Sequence, residues 1–289
     1  MNQYVQDRIA EAESLPDLTK GPAPCGIVIG HFGMPGTIRF QHALNQQHLK
    51  VPMLITDDWT WESRRPDEPE DAGLHRYHEL IEVCRERGLP LKLASDKHRC
   101  KHAGGDLGAF YHGLQWAQRH GIEYLMKLSM RAFLYGMDGY LQETVAGMRE
   151  RQYATASHVC QYNNGMTAFQ IRSEIVIMHV PSWCQPHIMA ELTPRPNVGV
   201  AGEIVIANAH KRHVRTTVYA PAWFGPSRTT KYPGLWWHDN HSSGDPVQDV
   251  ELAKAGEAEA RAIAKAYGVD LGEEFHARVS SFTRGYVGF

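Results

Sequence analysis

The run at residues 103–134, AGGDLGAFYHGLQWAQRHGIEYLMKLSMRAFL, constrains the fold more than any other part of the chain. A Gly pair opens it. Leu107, Phe110, Leu114 and Ala117 then recur every three or four residues, the apolar stripe of an amphipathic helix. Asp106 places negative charge in the first turn, and Gly121 stands where a helix stop belongs. Residues 122–128 follow at strand length and are apolar enough for a strand covered on both faces. Lys127, Ser129 and Arg131 occupy alternate positions at its C-terminal end, so an extended chain points all three one way. In open α/β sheets the ligand crevice lies beyond the carboxyl ends of the strands. Two cations and a hydroxyl there suit an anion, with phosphate the first expectation. A solvated strand edge is the alternative.

The same alternation runs through the rest of the chain. Residues 1–24 read as a polar helix and a Pro/Gly-containing lead-in. Residues 25–30, CGIVIG, form a small buried strand, and HFGMPG at 31–36 a turn. Thr37 is the expected N-cap of a helix reaching about residue 47. Residues 51–56 are a second strand, ending in Asp57 and Asp58. Strand, loop, helix, strand is a βαβ unit, whose natural outcome is a parallel sheet. Next come a charged loop at 59–72, a helix carrying Leu74, Tyr77, Ile81 and Cys84, a strand at 89–94 and a basic loop at 95–105. Beyond the central stretch the pattern predicts a helix over 140–148, a strand over 153–159 and one or two strands over 167–180. A helix from near Glu203 to 211, a strand over 214–220 and a helix over 247–267 complete it. The expected class is α/β, a Rossmann-like, mostly parallel sheet flanked by helices. Residues 25–220 would form the main domain, and 221–289 a loop-rich third packed on it.

Composition narrows the function classes. The 289 residues are 43% hydrophobic and 21% charged, ordinary for a globular protein. A net charge of -2 provides no basic field for nucleic acid or an anionic membrane. Five Cys without a CxxC pair suggest the scattered reduced thiols of a cytosolic protein. The polar N-terminus lacks an apolar signal core. No apolar run approaches the ~20 residues of a membrane span, so a cytoplasmic location is expected. The first turn is not GxGxxG and GxxxxGK[ST] is absent, against a dinucleotide fingerprint and a P-loop. HExxH is absent too, so the 17 His do not advertise a metal-dependent hydrolase.

Several residues are candidates for chemistry. Asp57 and Asp58 suit a base, a ribose or a divalent cation, or simply a strand-end turn. Glycine at 33 lets backbone approach a ligand closely. Gly104 and Gly105, ahead of a helix, offer amides and a positive helix end to phosphate, or a tight turn. In YPGLWWHDNH at 232–241, His238 and His241 with an Asp between them can ligate a metal. Trp236 and Trp237 can stack on sugar rings. An aromatic loop packed over the sheet is the plainer account.

The order of these features resembles the GT-A fold of nucleotide-sugar glycosyltransferases, over roughly residues 25–215. The resemblance implies a GT-A-like donor domain. The nucleotide of a UDP- or GDP-type sugar donor would lie over His31, Phe32, Gly33, Asp57 and Asp58, and the Gly104–Gly105 loop would lead into the long helix. The family's next strand normally ends in an acidic DxD motif that binds Mn or Mg and the diphosphate. This chain departs there. Its ending, Lys127-Leu128-Ser129-Met130-Arg131, is similar to that of some polysaccharide-type glycosyltransferases without the acidic motif. Lys127 and Arg131, with Ser129 beside them, would then neutralise the leaving diphosphate in place of a metal. Asp58, His238 and His241 remain the candidates for any metal. Glu203 in GVAGEIV takes the place of the general base that deprotonates the acceptor hydroxyl in inverting members, with Asp138 and Glu191 as alternatives. A first-turn Glu favoured by the helix dipole is the bland reading of Glu203. Trp236, Trp237, His238 and His241 would cover the donor or touch the acceptor, which could be a glycan, a lipid-linked glycan, a protein or a modified nucleic-acid base. The rival classes are a nucleotidyltransferase on a related sheet and a non-catalytic module that binds a saccharide or a partner.

Overall fold

A computed structural model describes residues 3–64, 67–94, 97–130, 132–133, 138–161, 169–194, 202–214, 235–236, 246–273 and 275. Along the chain, α1 (Gln3–Glu13) precedes β1 (Cys25–His31), α2 (Pro35–Leu44), β2 (Met53–Asp57), α3 (Ala72–Arg87) and β3 (Leu91–Leu93). Then come α4 (Lys97–Arg119), β4 (Tyr124–Ser129), β5 (Ala132–Phe133), α5 (Tyr140–Glu150), β6 (Thr155–Gln161) and β7 (Phe169–His179). The last elements are α6 (Val180–Trp183), α7 (Pro186–Leu192), α8 (Gly202–Ala209), β8 (Leu235–Trp236) and α9 (Pro246–Ala266). A π-helical turn, Asn45–Leu49, extends α2, and another, His210–Val214, extends α8.

Six strands form one sheet in the order β3-β2-β1-β4-β7-β6. The pairs β3–β2, β2–β1 and β1–β4 are parallel, whereas β7 runs antiparallel to both β4 and β6. The expected mostly parallel α/β sheet is therefore what forms. The order reverses between β1 and β4, and such a switch point opens a crevice at the carboxyl ends of the strands. There His31 stands opposite Asp57 and Gly30 opposite Ser129. A separate short ladder joins β5 to β8, pairing Ala132 with Trp236.

Strand alternation divides the core in two. Ile27, Ile29, Met53, Ile55, Met126 and Leu128 face one side, where residues of α2, α3, α5 and α9 cover them. Val28, Leu54 and Leu125 face the other, beneath α4, α6, α7 and α8. Lys127 shares the parity of Leu125, so this lysine lies under α4. The helix stops fall where glycine allows a left-handed residue. Gly88 (φ 64) ends α3, with the Leu89 amide bonded back to the Cys84 carbonyl at 2.8 Å. Gly121 (φ 64) follows α4, with the Ile122 amide donating to the Ala117 carbonyl at 2.9 Å.

Three sequence expectations need correction. His31 is the last residue of β1 and not part of the turn. Thr37 lies inside α2, whose N-cap is Met34, and so is not the expected cap; the one or two strands expected over 167–180 are one, β7. The third concerns α4, which starts at Lys97 and absorbs the expected basic loop. Gly104 and Gly105 thus lie about two turns inside the helix, where amides are spent on i→i−4 bonds and present no phosphate-binding end. Their role is proximity. A Cβ on Gly105 would sit 2.8 Å from Asp58 Oδ2, and one on Gly108 would sit 1.9 Å from the Ala94 carbonyl oxygen. The expected strand at 214–220 has Val214 in the π-helical turn, and its remainder lies outside the described residues. Among the described residues no helix is long and apolar enough to cross a membrane.

His210 is packed into the second core, and His112 is half-buried on α4 beside Ala94. His210 lies beside Trp183, ring centroids 6.0 Å apart, and burial pushes its imidazole down to about 4. His112 is also lowered to about 4, by burial first and the Lys92 charge second, against an opposing hydrogen bond with Ala94. Both start from an ordinary value of about 6.5. Between pH 6.5 and 4 the unfolded chain therefore binds protons that the folded chain refuses. This contribution is complete above the unfolded value, shrinks as pH falls and is lost below the folded one. At about 1.4 kcal/mol per pH unit, urea unfolding at pH 5 should find roughly 2 kcal/mol less stability per histidine than at pH 7. His210→Phe should flatten the dependence. Equal wild-type stability at the two pH values would mean that neither histidine is held neutral by the fold.

Candidate functional site

The carboxyl edge at the β1/β4 switch gathers most of the described candidates, on two sides of the sheet. On the α2/α3 side, His31 and Asp57 have side chains with 0% exposure. Asp57 Oδ1 accepts from His31 Nδ1 at 2.8 Å and from the Thr60 hydroxyl at 2.5 Å, and Oδ2 accepts from the Thr60 amide at 2.8 Å. His31 Nε2 in turn accepts the Met34 amide at 3.2 Å, which makes Nδ1 the protonated nitrogen. The Gly33 amide donates to Thr60 Oγ1 at 2.8 Å, and the Phe32 amide to Met130 Sδ at 3.2 Å.

This wiring changes the expected role of the first turn. The amides of Phe32, Gly33 and Met34 are all committed within the protein, so the turn is no anion nest. His31 and Asp57, buried in their own network, hold the turn in shape. Gly33 (φ 70) needs its glycine for the left-handed turn and for room beside Ser63. Thr60, which the sequence reading passed over, is the pivot of the network. Its signal was the Asp57-x-x-Thr60 spacing of a strand-end Asp bonding back to backbone. Trp59 adopts φ 59, ψ 58, a left-handed conformation costing a bulky residue about 1–2 kcal/mol. Its ring is stacked on Trp61 at 4.9 Å.

On the α4 side, Lys127 is 2% exposed and its Nζ donates to Asp106 Oδ1 at 2.6 Å. The ammonium also lies 5.6 Å from the centroid of the Phe110 ring. Asp106 keeps 30% of its side chain exposed, toward solvent at the mouth of the pair. Asp58, anchored by its amide to the His31 carbonyl at 2.9 Å, packs against Gly105, the residue before Asp106. Ser129 ends β4 beside Gly30. The structure thus brings Asp58, Gly105, Asp106, Lys127 and Ser129 to one edge. Asp106 was legible only as a first-turn helix charge, because its partner is 21 positions away in the chain.

The remaining candidates divide. Arg131 lies outside the described residues, as do Trp237, His238 and His241. Trp236 is placed by its backbone in β8, opposite Ala132. Gly104 is a backbone position within α4. Glu203 is the second residue of α8, with its side chain outside the description. Helix α8 packs on β7, and its far end reaches Trp183 beside the opposite edge of the sheet, so Glu203 sits at the end directed toward the crevice. Neither alternative base fits. Glu191 is bonded to Arg212 and His213 at 2.6 Å each. Burial pushes its carboxyl up, but those bonds and charges prevail and hold it below the usual range, a poor proton acceptor. Asp138 is bonded to His48 at 3.0 Å, and His48 also reaches the Tyr267 hydroxyl at 2.7 Å. No group of three or more metal-ligating side chains occurs among the described residues. Of the carboxylates at the edge, Asp106 is engaged by Lys127, so these residues alone do not compose a cation site.

No family model matches the chain, and no curated protein sequence matches it. Solved structures to which the chain is similar include the mannosyltransferase PcManGT from Pyrobaculum calidifontis in complex with GDP-Man and Mn2+. It is 13% identical, with 76% of this chain and 61% of that one covered and a TM-score of 0.39. The chain therefore spans less than two thirds of that protein. Core-mannan synthase A (CmsA/Ktr4) from Aspergillus fumigatus, in its Mn/GDP form, is 6% identical over 69% of this chain and 73% of that one, with a TM-score of 0.40. The mannosyltransferase Ktr4p from S. cerevisiae is 8% identical over 72% and 75%, with a TM-score of 0.39.

Proposed function

We propose that the chain is a nucleotide-sugar glycosyltransferase that moves a sugar from a UDP- or GDP-type donor to an acceptor hydroxyl, with inversion. The observation that carries the reading is the group at the β1/β4 switch, where Lys127 is held by Asp106 beside Asp58 and Ser129. The nucleotide lies against the internally braced turn 31–34 and Asp58. The diphosphate meets Ser129, Lys127 and Arg131, which oppose its developing charge as the sugar leaves. Asp106 orients the Lys127 ammonium at the strand end, so its charge is already in place when a phosphate group arrives. Glu203 takes the acceptor proton. Trp236, Trp237, His238 and His241 belong to the part that covers the sugar. A divalent metal, where one is used, would neutralise the diphosphate at Asp58 with His238 or His241, and no step above depends on it.

A thermal-shift panel of UDP-, GDP-, CMP- and TDP-sugars, each with Mn2+ and with EDTA, tests the reading. GDP-mannose is a natural first member. A ligand at about 100 times its Kd adds about 2.7 kcal/mol, a rise of several degrees. A rise confined to one nucleotide and surviving EDTA is the expected result. A rise with free nucleoside triphosphate and Mg2+ alone would favour nucleotidyl transfer. No rise with any donor would leave a binding module without this chemistry.

A further inference from the structure

Helix α2 carries a buried amide whose bonds end at the strand end just described. Gln41 is 4% exposed, on the face shared by Ile38 and Leu44. Its Nε2 donates to the Ser129 carbonyl and to the Ala132 carbonyl, at 3.0 Å each. One amide group therefore bridges the two ends of a four-residue segment whose inner members are Met130 and Arg131. The Met130 amide donates to the Gly30 carbonyl at 3.0 Å, and its sulfur accepts the Phe32 amide. Past the bridge, Phe133 packs on Phe40, one residue before Gln41, with centroids 4.8 Å apart.

The other half of the amide sharpens the point. Gln41 Oε1 is buried and has no hydrogen-bond partner among the described residues. It borders a small cavity lined also by Ile27, Ile29, Leu44, Leu128 and Ala132. An unsatisfied buried carbonyl oxygen is unfavourable, and an apolar residue of the same length would fill this position without it. What the apolar residue could not do is hold both carbonyls with one donor group.

We propose that Gln41 is a positioning residue, which holds the Ser129 and Ala132 carbonyls so that Ser129 and the neighbouring Arg131 meet the donor diphosphate. This rests on the donor-binding reading above. The residue touches neither donor nor acceptor and acts through these two carbonyls alone.

The test pairs Gln41→Met, which keeps length and loses both donors, with Arg131→Ala. The first readout needs no ligand. Backbone amide exchange of residues 130–133 should rise at least about tenfold in Gln41→Met, while β1 and β2 keep their wild-type protection. The second readout is Kd for GDP and UDP by calorimetry. The nucleotide that binds wild type should bind each single variant at least about tenfold more weakly, and Gln41→Met should add no further loss in the Arg131→Ala background. Uniformly faster exchange, or additive losses of affinity, would overturn the proposal and make Gln41 an ordinary packing residue. If wild type binds neither nucleotide, the donor-binding reading falls, and the proposed role of Gln41 in diphosphate binding falls with it. Local exchange confined to 130–133 would then mark only a structural clamp.

Discussion

Gly108→Ala is expected to destabilise the protein by about 3 kcal/mol or more, although the position is helical. Helix propensity alone argues the other way, since alanine is favoured over glycine inside a helix by about 1 kcal/mol. Sterics decide the sign. The new Cβ would stand 1.9 Å from the Ala94 carbonyl oxygen and 2.4 Å from its carbon. Both are backbone atoms, so no side-chain rotation relieves the clash. Helix α4 would have to withdraw from the end of β3, and Gly105 against Asp58 and Asp106 against Lys127 ride on the same helix. Urea unfolding of Gly108→Ala against wild type measures the loss. Gly268→Ala is the control, because it meets nothing within 4 Å and suffers only its left-handed φ of 71. If Gly108→Ala proved as stable as wild type, α4 would not lie as close to the sheet as described.

The second large effect is functional. Lys127→Met should weaken binding of the donor diphosphate by about 10- to 100-fold, the range of a charge-assisted hydrogen bond worth about 1.5–3 kcal/mol. The melting temperature should change little. Methionine has nearly the volume of the lysine stem, and replacing a buried cation by an apolar side chain is often neutral. Asp106, having lost this ammonium, is 30% exposed and can be hydrated. The double variant Asp106→Asn/Lys127→Met separates two explanations. If Lys127 touches the diphosphate, the double variant binds as poorly as Lys127→Met. If Lys127 only cancels the charge of Asp106, removing that charge restores binding. Restoration would move the anion contact wholly to Ser129 and Arg131.

Much of the frame was legible because it depends on short-range regularities. The apolar runs at 25–30, 51–56 and 122–128 are strands, and the stripes at 74–84 and 107–117 are helices with Gly88 and Gly121 behind them. The Gly pair at 104–105 misled because glycine is required equally by a turn and by a tight helix contact. Only the neighbour across the gap, here Asp58, tells the two apart. His31 and Asp57 carry a related ambiguity. Polar residues at a strand end suit a ligand, yet the same residues can satisfy one another. Their mutual bond and the Thr60 bonds join groups that no local pattern connects.

The amino-acid order by itself determined the α/β class and the carboxyl edge of the sheet where the proposed site lies. Both follow from hydrophobic period and from strand direction, and these are local properties. Which charged groups face a ligand and which neutralise each other was decided only in three dimensions. Lys127 and Asp106 are 21 residues apart and meet because α4 folds back over β4. Gln41 and Ser129 are 88 apart and meet because β1 lies between β2 and β4, with α2 beneath. Coulomb and hydrogen-bond energies depend on distances of a few ångströms, and only the packed sheet sets those distances.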